Sequence, residues 1–349
     1  LTLRIGIAGA TGYSGVELVR LLSQHPRVQI VLAGADSQAG QPLDRVHPHL
    51  SGLTHLQAQA LTAEQLAAEC DVVFTALPHG HAMALAVPIL AARRTLVDLG
   101  ADFRLRDPET FTAWYRQPHT APQLLDQAVY GLPELFRDRI PGRRLVANPG
   151  CYPTSCALAA APLLREKLVR TRGIVFDSKS GVSGAGRGLA LGVHYAEVNE
   201  SFKAYSIAGT HRHTPEIEQT LGDLAGLPIT ISFTPHLVPM TRGILTTAYF
   251  DLDKDLTTEQ AVELFRDAYA NEPFIRVRPV GDLPATKHVA GSNRCDLGVQ
   301  VDARTGKVVV ISVIDNLIKG AAGQAIQNMN LALGLPETMG LESANPLFP

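Results

Sequence analysis

Charge, aromatic side chains and sulfur are all scarce in this sequence. Only 18% of its 349 residues are charged, and 31 Lys and Arg nearly cancel 33 Asp and Glu. The net charge of −2 offers no general attraction to nucleic acid or an anionic membrane, so any phosphate chemistry must come from a local pocket. Polar residues interrupt every apolar run before the length of about 18 residues that a transmembrane helix needs. Four cysteines without close CxxC spacing argue against a disulfide scaffold and a structural zinc site. That usage fits a cytoplasmic protein, in which each thiol either packs or does chemistry. Repeats and low-complexity tracts are missing too. The opening Leu1-Thr2-Leu3-Arg4-Ile5-Gly6-Ile7-Ala8-Gly9 lacks a basic region and a long apolar stretch, so it reads as a first strand rather than a signal peptide.

Apolar residues, at 46%, are plentiful, and the length favours two domains over one. In the first third, short β-branched runs alternate with helical segments. Strands are expected at 3–8, 28–33, 71–77 and 95–99, with helices at 16–22 and 83–92. This is the pattern of an α/β, Rossmann-like, doubly wound parallel sheet over residues 1–150. Beyond it, a helix at 154–168 and widely spaced strands at 173–177, 229–233, 244–250 and 307–314 predict an α+β substrate and oligomerisation domain over 151–316. In the last segment, 317–349, a helix to about Leu333 puts Ile318, Ala321, Ala325 and Met329 on one face, suited to docking back onto the first domain.

Between the first strand and helix stands Gly9-Ala10-Thr11-Gly12-Tyr13-Ser14-Gly15. Glycines there let backbone turn tightly and approach a pyrophosphate, which the helix N-terminus then stabilises. The alternative is a tight βα turn that binds nothing. The second strand ends in Ala35-Asp36-Ser37-Gln38. Asp36 there suits a ribose 2′-hydroxyl and hence NAD, whereas Ser37 suits a 2′-phosphate and hence NADP; these residues leave the choice open.

Asn148-Pro149-Gly150-Cys151-Tyr152-Pro153-Thr154 precedes an Ala/Leu-rich run. Pro153 fits a first helical turn, so Cys151 falls at or just before a helix N-terminus, where unpaired amides favour a thiolate. Cys151 is the candidate nucleophile. Cys156 falls in the apolar helix, Cys70 at a strand edge and Cys295 in a polar turn; packing is expected of these. Thr210-His211-Arg212-His213-Thr214-Pro215-Glu216 concentrates two imidazoles and a guanidinium just upstream of a helix start. Arg212 between the histidines, and the lack of a third ligand, argue against a metal. Ser180 to Gly188 forms a second glycine loop, either a connection or an anion cradle. Arg104, after the fourth strand, suits a carboxylate or phosphate, or else a surface salt bridge. Pro78-His79-Gly80-His81 reads as a loop over the cofactor.

Together these segments resemble the N-acetyl-gamma-glutamyl-phosphate reductases, the arginine-pathway branch of the semialdehyde dehydrogenase superfamily. The carrying residues are the glycine loop, Ala76-Leu77-Pro78-His79-Gly80-His81, Gly100-Ala101-Asp102-Phe103-Arg104 and Pro149-Gly150-Cys151-Tyr152-Pro153-Thr154. Ser183-Gly184-Ala185-Gly186-Arg187, His211-Arg212-His213-Thr214-Pro215-Glu216 and Ile314-Asp315-Asn316-Leu317-Ile318-Lys319-Gly320 complete the set, in order over nearly the whole chain. The resemblance implies NADPH-dependent reduction of an acyl phosphate to an aldehyde through a thioester on Cys151. It makes His211 the main acid/base, with His213 close behind. It also implies NADP bound by Gly9 to Gly15, Ser37, Pro78, Ser183, Gly184 and Asn316. Arg104, Asn148 and Arg212 are then the substrate-binding candidates. Expected partners are a small acyl phosphate and further copies of the chain, as a homodimer or homotetramer, with no metal, nucleic acid or membrane. A reductase of a carrier-protein-linked aminoadipyl or glutamyl phosphate is the near alternative, disfavoured by Tyr152-Pro153-Thr154. Aspartate semialdehyde dehydrogenase matches less well around the cysteine, and a silent NADP-binding protein would need neither Cys151 nor His211.

Overall fold

The computed structural model describes residues 2–342, with the side chain of Asp36 outside the described residues. Residues 2–150 and 321–342 make one compact unit, and 151–320 make the other.

Strands β1 (Leu3–Ala8), β2 (Val28–Gly34), β3 (Ala58–Gln59), β4 (Val72–Thr75), β5 (Thr95–Asp98), β6 (Ala128–Tyr130) and β7 (Leu145–Ala147) form the first sheet. Its order is β3-β2-β1-β4-β5-β7-β6, and every pairing is parallel. The β-branched runs of β4 and β5 are buried at every position, as both faces of a helix-covered sheet require. Leu66, Met83, Ala86, Phe103 and Phe111 pack on one of those faces. Strand order reverses at β1, and in such sheets ligands settle outside the carboxyl ends of the strands at the reversal. Three strands of two or three residues, β3, β6 and β7, lie outside the expected set, being too short to show periodicity. The strand expected at 71–77 is trimmed to Val72–Thr75, and at its start the Asp71 carboxylate accepts from the Arg4 amide (2.9 Å).

Asp102 explains why a helix starts at Ala82. Its carboxylate accepts from the amides of Gly80 (2.6 Å), Ala82 (2.9 Å) and Met83 (3.3 Å), capping from twenty residues downstream what no local side chain caps.

The last helix departs from its expected form. A π-helical turn, Ile318–Ala322, precedes the α-helix Gly323–Ala332, which lies beside the first helix (Tyr13–Leu22) and β5. Rather than one apolar face, it buries its polar residues too: Gln324, Gln327, Asn328 and Asn330 are fully inaccessible. Asn328 Nδ2 donates to Gly131 O (2.7 Å) and Asn148 Oδ1 (2.9 Å), and Asn330 pairs with His25 Nε2 (3.1 Å). Polar partners inside the unit replace water, and hydropathy periodicity cannot register them. The segment 343–349 lies outside the described residues.

The second unit is built on β8 (Ile174–Gly181), β9 (Lys203–Ala204), β10 (Ile231–Val238), β11 (Ile244–Asp251), β12 (Ile275–Val277), β13 (Cys295–Asp302) and β14 (Lys307–Ile314). The order is β12-β13-β14-β11-β8-β10-β9, with β8/β10 and β12/β13 parallel and the other pairs antiparallel. Strict alternation of buried and half-buried residues along β11 marks a sheet with one face packed. The helix Cys151–Arg165 packs against β11 and β14 and is buried from Tyr152 through Leu164. Cys295 is not in a polar turn. It opens β13, fully buried, with Sγ 3.5 Å from Ser312 Oγ. Cys70 and Cys156 are buried as well, and burial pushes the Cys70 thiol up to about 12 and the Cys156 thiol higher. Among the described residues no helix is long and apolar enough to cross a membrane.

Replacing Asn328 with Ala strips Gly131 O and Asn148 Oδ1 of a buried donor. The expected cost is about 1–3 kcal/mol per orphaned group, read as a lowered midpoint in chemical denaturation with an unchanged slope.

Candidate active site

The glycine loop is shaped by backbone crowding. Gly9 has φ +89°, and a Cβ there would lie 2.3 Å from Ala76 O. A Cβ on Gly15 would lie 2.0 Å from Gly9 O, so neither position accepts a side chain. Gly12 differs. It caps the helix Tyr13–Leu22 with nothing closer to its absent Cβ than Gly9 O at 3.6 Å. No side chain caps that helix and no acid sits in its first turn, so its terminal amides suit an external anion. The amides of Gly9 (2.9 Å) and Ala10 (2.8 Å) both donate to Gly34 O, and His47 Nε2 lies 3.0 Å from Thr11 O. Tyr13 is exposed, and Ser14 is half-buried. Ser37, exposed on a 3₁₀ turn after β2, and Pro78, exposed after β4, follow the two strands that flank β1. These residues share the carboxyl edge of the sheet at its reversal. They fit a dinucleotide: an uncapped helix end, two glycines that admit no side chain and a third that leaves room. Asp36 belongs to the same turn, but its side chain lies outside the described residues.

Two substrate-binding candidates are placed elsewhere. Asn148 is fully buried; Nδ2 donates to Ala321 O (3.2 Å) and Oδ1 accepts from Asn328 (2.9 Å). Both ends of its amide hold bonds inside the first unit, where it acts as a brace. Arg104 is 8% exposed and is not a surface ion pair. Its Nε donates to Asn148 O (2.8 Å) and its Nη2 to Leu99 O (2.7 Å), tying together the ends of β5 and β7.

In the second unit, Cys151 is the first residue of its helix and half-buried. Gly320 lies against it: a Cβ there would come within 2.7 Å of Cys151 Cβ. Asp315, fully buried, holds the chain on its way to Gly320. It accepts from Gly291 N (2.7 Å), Leu317 N (2.8 Å) and Ile318 N (3.2 Å) and faces Arg242 Nη1 (3.3 Å). Asn316 is also buried. Its Nδ2 donates to Ser183 Oγ (3.0 Å) and its Oδ1 accepts from Gly243 N (2.8 Å), so it shapes the second glycine loop. That loop begins later than expected, since β8 continues to Gly181. A Cβ on Gly184 would lie 2.8 Å from Ser180 Oγ.

Around the cysteine helix gathers a cluster of rings. The His211 ring lies 5.6 Å from Tyr152, 5.4 Å from Tyr205, 4.9 Å from His213 and 5.2 Å from Phe233, all edge to face. Tyr205 Oη donates to Tyr152 Oη (3.1 Å), which donates to His236 O (3.3 Å). Burial raises both phenols, Tyr205 to about 12, and the charge of Cys151 adds to the rise, which puts both within electrostatic reach of its sulfur. Burial, then the Arg212 charge, lowers His211 to about 4. His213 stands at the N-cap of the helix Thr214–Ala225, and Arg212 is exposed. Tyr205 carried no signal of its own in the sequence, since it comes from a loop without periodicity. Among the described residues no group of three His, Cys, Asp or Glu could hold a metal.

Residues 4–142 match the semialdehyde dehydrogenase NAD binding domain, and residues 151–316 the semialdehyde dehydrogenase dimerisation domain. An N-acetyl-gamma-glutamyl-phosphate reductase from Symbiobacterium thermophilum is 67% identical over 349 residues, all of both chains. The chain belongs to the N-acetyl-gamma-glutamyl-phosphate reductase family of semialdehyde dehydrogenases. A second reductase of that name, from Desulforamulus reducens, is 55% identical over 99% of this family member and all of its own length. Among solved structures, aspartate semialdehyde dehydrogenase II from Vibrio cholerae superposes with TM-score 0.72 at 16% identity, over 95% of this chain and 98% of that one. The Candida albicans enzyme gives 0.70 at 18% over the same shares. At such identities these two speak for the semialdehyde dehydrogenase fold alone.

The glycine loop gives a test with a built-in control. Gly12→Ala is expected to keep the melting temperature and weaken dinucleotide binding about tenfold or more, since its methyl fills space above the helix end. Gly15→Ala must displace Gly9, so it is expected to lower stability and binding together. Calorimetric titration with NADP beside thermal melts separates the two.

Proposed function

We propose that the chain reduces N-acetyl-gamma-glutamyl phosphate to N-acetyl-L-glutamate 5-semialdehyde, with release of phosphate, through a thioester on Cys151. The observation that carries this reading is Cys151 itself, at the start of a helix buried along its length and beside a cluster that holds His211. Full-length identity to relatives named for that reaction supports the substrate.

Amides of the first turn favour the thiolate of Cys151. The thiolate attacks the acyl carbon, an S–C bond forms, the C–O bond to phosphate breaks, and the leaving phosphate takes up one proton. A carboxylate resists hydride, whereas the thioester is electrophilic and stays tethered. NADPH, when bound, supplies the hydride. Gly9, Ala10, Thr11, Gly12, Tyr13, Ser14 and Gly15 would hold its pyrophosphate, and Ser37 and Pro78 would flank it. The exposed guanidinium of Arg212 is the proposed partner for a substrate anion. His211 and His213 are the polar groups proposed to serve the reacting carbonyl.

The chain works as a homodimer or homotetramer assembled through its second unit. That unit matches a dimerisation domain and exposes Leu189, Leu191, Tyr195, Phe202 and Ile207 within one stretch of chain, the kind of surface an interface between copies would cover. Four cysteines, none of them in a disulfide among the described residues, accord with work in the cytoplasm.

The test follows NADP+ reduction by N-acetyl-glutamate semialdehyde with and without inorganic phosphate. Wild type is expected to need phosphate, and Cys151→Ala to lose roughly 10³-fold or more in kcat while still binding NADP. Turnover that survives the substitution would remove the thioester from the mechanism. An inactive wild type that binds NADP would point to a carrier-linked substrate instead.

A further inference from the structure

The turn that seats Gly320 against Cys151 is tied to the rest of the second unit through one buried carboxylate. Asp315 is fully inaccessible, and its two oxygens have different duties. Oδ1 accepts from the amides of Leu317 (2.8 Å) and Ile318 (3.2 Å) and so shapes its own turn. Oδ2 accepts from Gly291 N (2.7 Å) and Arg242 Nη1 (3.3 Å), which come from two other segments. The Gly320 amide then closes back on Asp315 O at 3.0 Å.

Arg242 in turn stands on a fixed support. The 240–243 turn is strapped to the end of β8 and the start of the second glycine loop. Gly181 N donates to Gly243 O (2.9 Å), Val182 N to Met240 O (2.9 Å) and Ser183 N to Thr241 O (3.2 Å). A Cβ on Gly181 would lie 2.7 Å from Thr241 O, so the two segments meet backbone to backbone. The residues next in sequence repeat the link, since Gly243 N donates to Asn316 Oδ1 (2.8 Å). A buried ion pair adds little net stability, because desolvation offsets much of its attraction. What this pair fixes is geometry.

We infer that Arg242 and Asp315 are positioning residues for the nucleophile: through the 315–320 turn they hold the first turn of the cysteine helix, so that its amides and the Cys151 sulfur keep one alignment. This rests on Cys151 as the nucleophile of the reading above. Amides at a helix start favour a thiolate only while they point at it, and helix ends fray first. Gly320 packs where the fraying would begin, its absent Cβ 2.7 Å from Cys151 Cβ and 3.2 Å from Cys151 Cα. Tyr152, Tyr205 and Cys156 are electrostatically coupled to Cys151, and burial keeps all three protonated, so they offer a thiolate no compensating charge.

The pH profile of Cys151 alkylation by iodoacetamide tests this on the free enzyme, read by mass spectrometry with the buried Cys70, Cys156 and Cys295 as internal references. Arg242→Met removes a cation and Asp315→Asn an anion. As bare charges they would move the Cys151 midpoint in opposite directions, up and down. As parts of one brace they are expected to move it the same way, up by about one pH unit. Arg242→Lys, which keeps a charged donor, is expected to recover most of the shift. In turnover, Arg242→Met is expected to lower kcat about 10- to 100-fold, with KM for the acyl phosphate within about threefold of wild type.

Opposite shifts, or no shift in either variant, would overturn the inference. So would a loss confined to KM, which would make Arg242 a substrate anion site. Should Asp315→Asn not fold, Arg242→Met decides alone: a shift that persists in about 0.5 M salt supports the brace, and one that salt abolishes reduces the pair to its charges. A wild-type midpoint at the ordinary value of about 8.5 would leave no alignment to hold and would also overturn it. A wild type inactive toward the acyl phosphate rejects that substrate alone, and the alkylation shifts still decide the brace.

Discussion

The first turn of the Cys151 helix depends on a missing methyl group. Cys151 begins a helix buried from Tyr152 to Leu164, so the chain around its first turn has little room. The turn through Gly320 packs so close that a Cβ would sit 2.7 Å from that of Cys151. Asp315 holds the turn with three amides and Arg242, and Gly320 N returns to Asp315 O at 3.0 Å. Beneath the same helix runs a seam of hydroxyls. Ser155 Oγ meets Thr246 Oγ1 (2.9 Å) and Ser312 Oγ (3.0 Å), and Ser178 Oγ meets Thr246 Oγ1 (2.8 Å). Each bond contributes only about 1 kcal/mol net, but losing a partner strands a buried hydroxyl at about 1–3 kcal/mol. The seam therefore fixes the height and rotation of the helix on the sheet more sharply than apolar packing would. The position of the sulfur follows from that registration.

The first unit uses the same device for a different end. Gly9 and Gly15 let backbone press on backbone, and the space so gained lies above an uncapped helix terminus. Its polar side chains are then spent on bracing. Asp102 caps a helix, Arg104 ties two strand ends, and Asn148 joins the C-terminal helix through Asn328. Asp98, buried beside Asp102, is held by Thr75 Oγ1 (2.6 Å) and Gly100 N (2.9 Å), and burial pushes its carboxyl pKa upward. Buried polar groups of this kind stabilise only while every partner is present, which makes the unit sensitive to single substitutions.

What could be read in the sequence had a local physical origin. The glycine spacing, the β-branched runs of β1, β2, β4 and β5 and the proline just after Cys151 each act within a few residues, so their consequences were legible. Asp102 and Asn148 were not, because a side chain that braces and one that binds substrate look alike until a partner such as the Gly80 amide or Asn328 is known. The strands β3, β6 and β7 span two or three residues, below any period. Cys295 looked like a turn residue because Ser292, Asn293 and Arg294 precede it, yet Ser292 and Asn293 are themselves buried. Tyr205 gave no sign, since only the fold brings it to Tyr152.

The ring cluster has an electrostatic logic of its own. Tyr152 and Tyr205 keep their protons through the whole physiological range, because burial and the sulfur's charge both resist a second anion. His211 stays neutral for the mirror reason, facing burial and Arg212. The rings of Tyr152, Tyr205 and His211 thus present dipoles rather than charges to their surroundings, and a dipole already oriented by its packing needs no reorganisation when charge appears beside it.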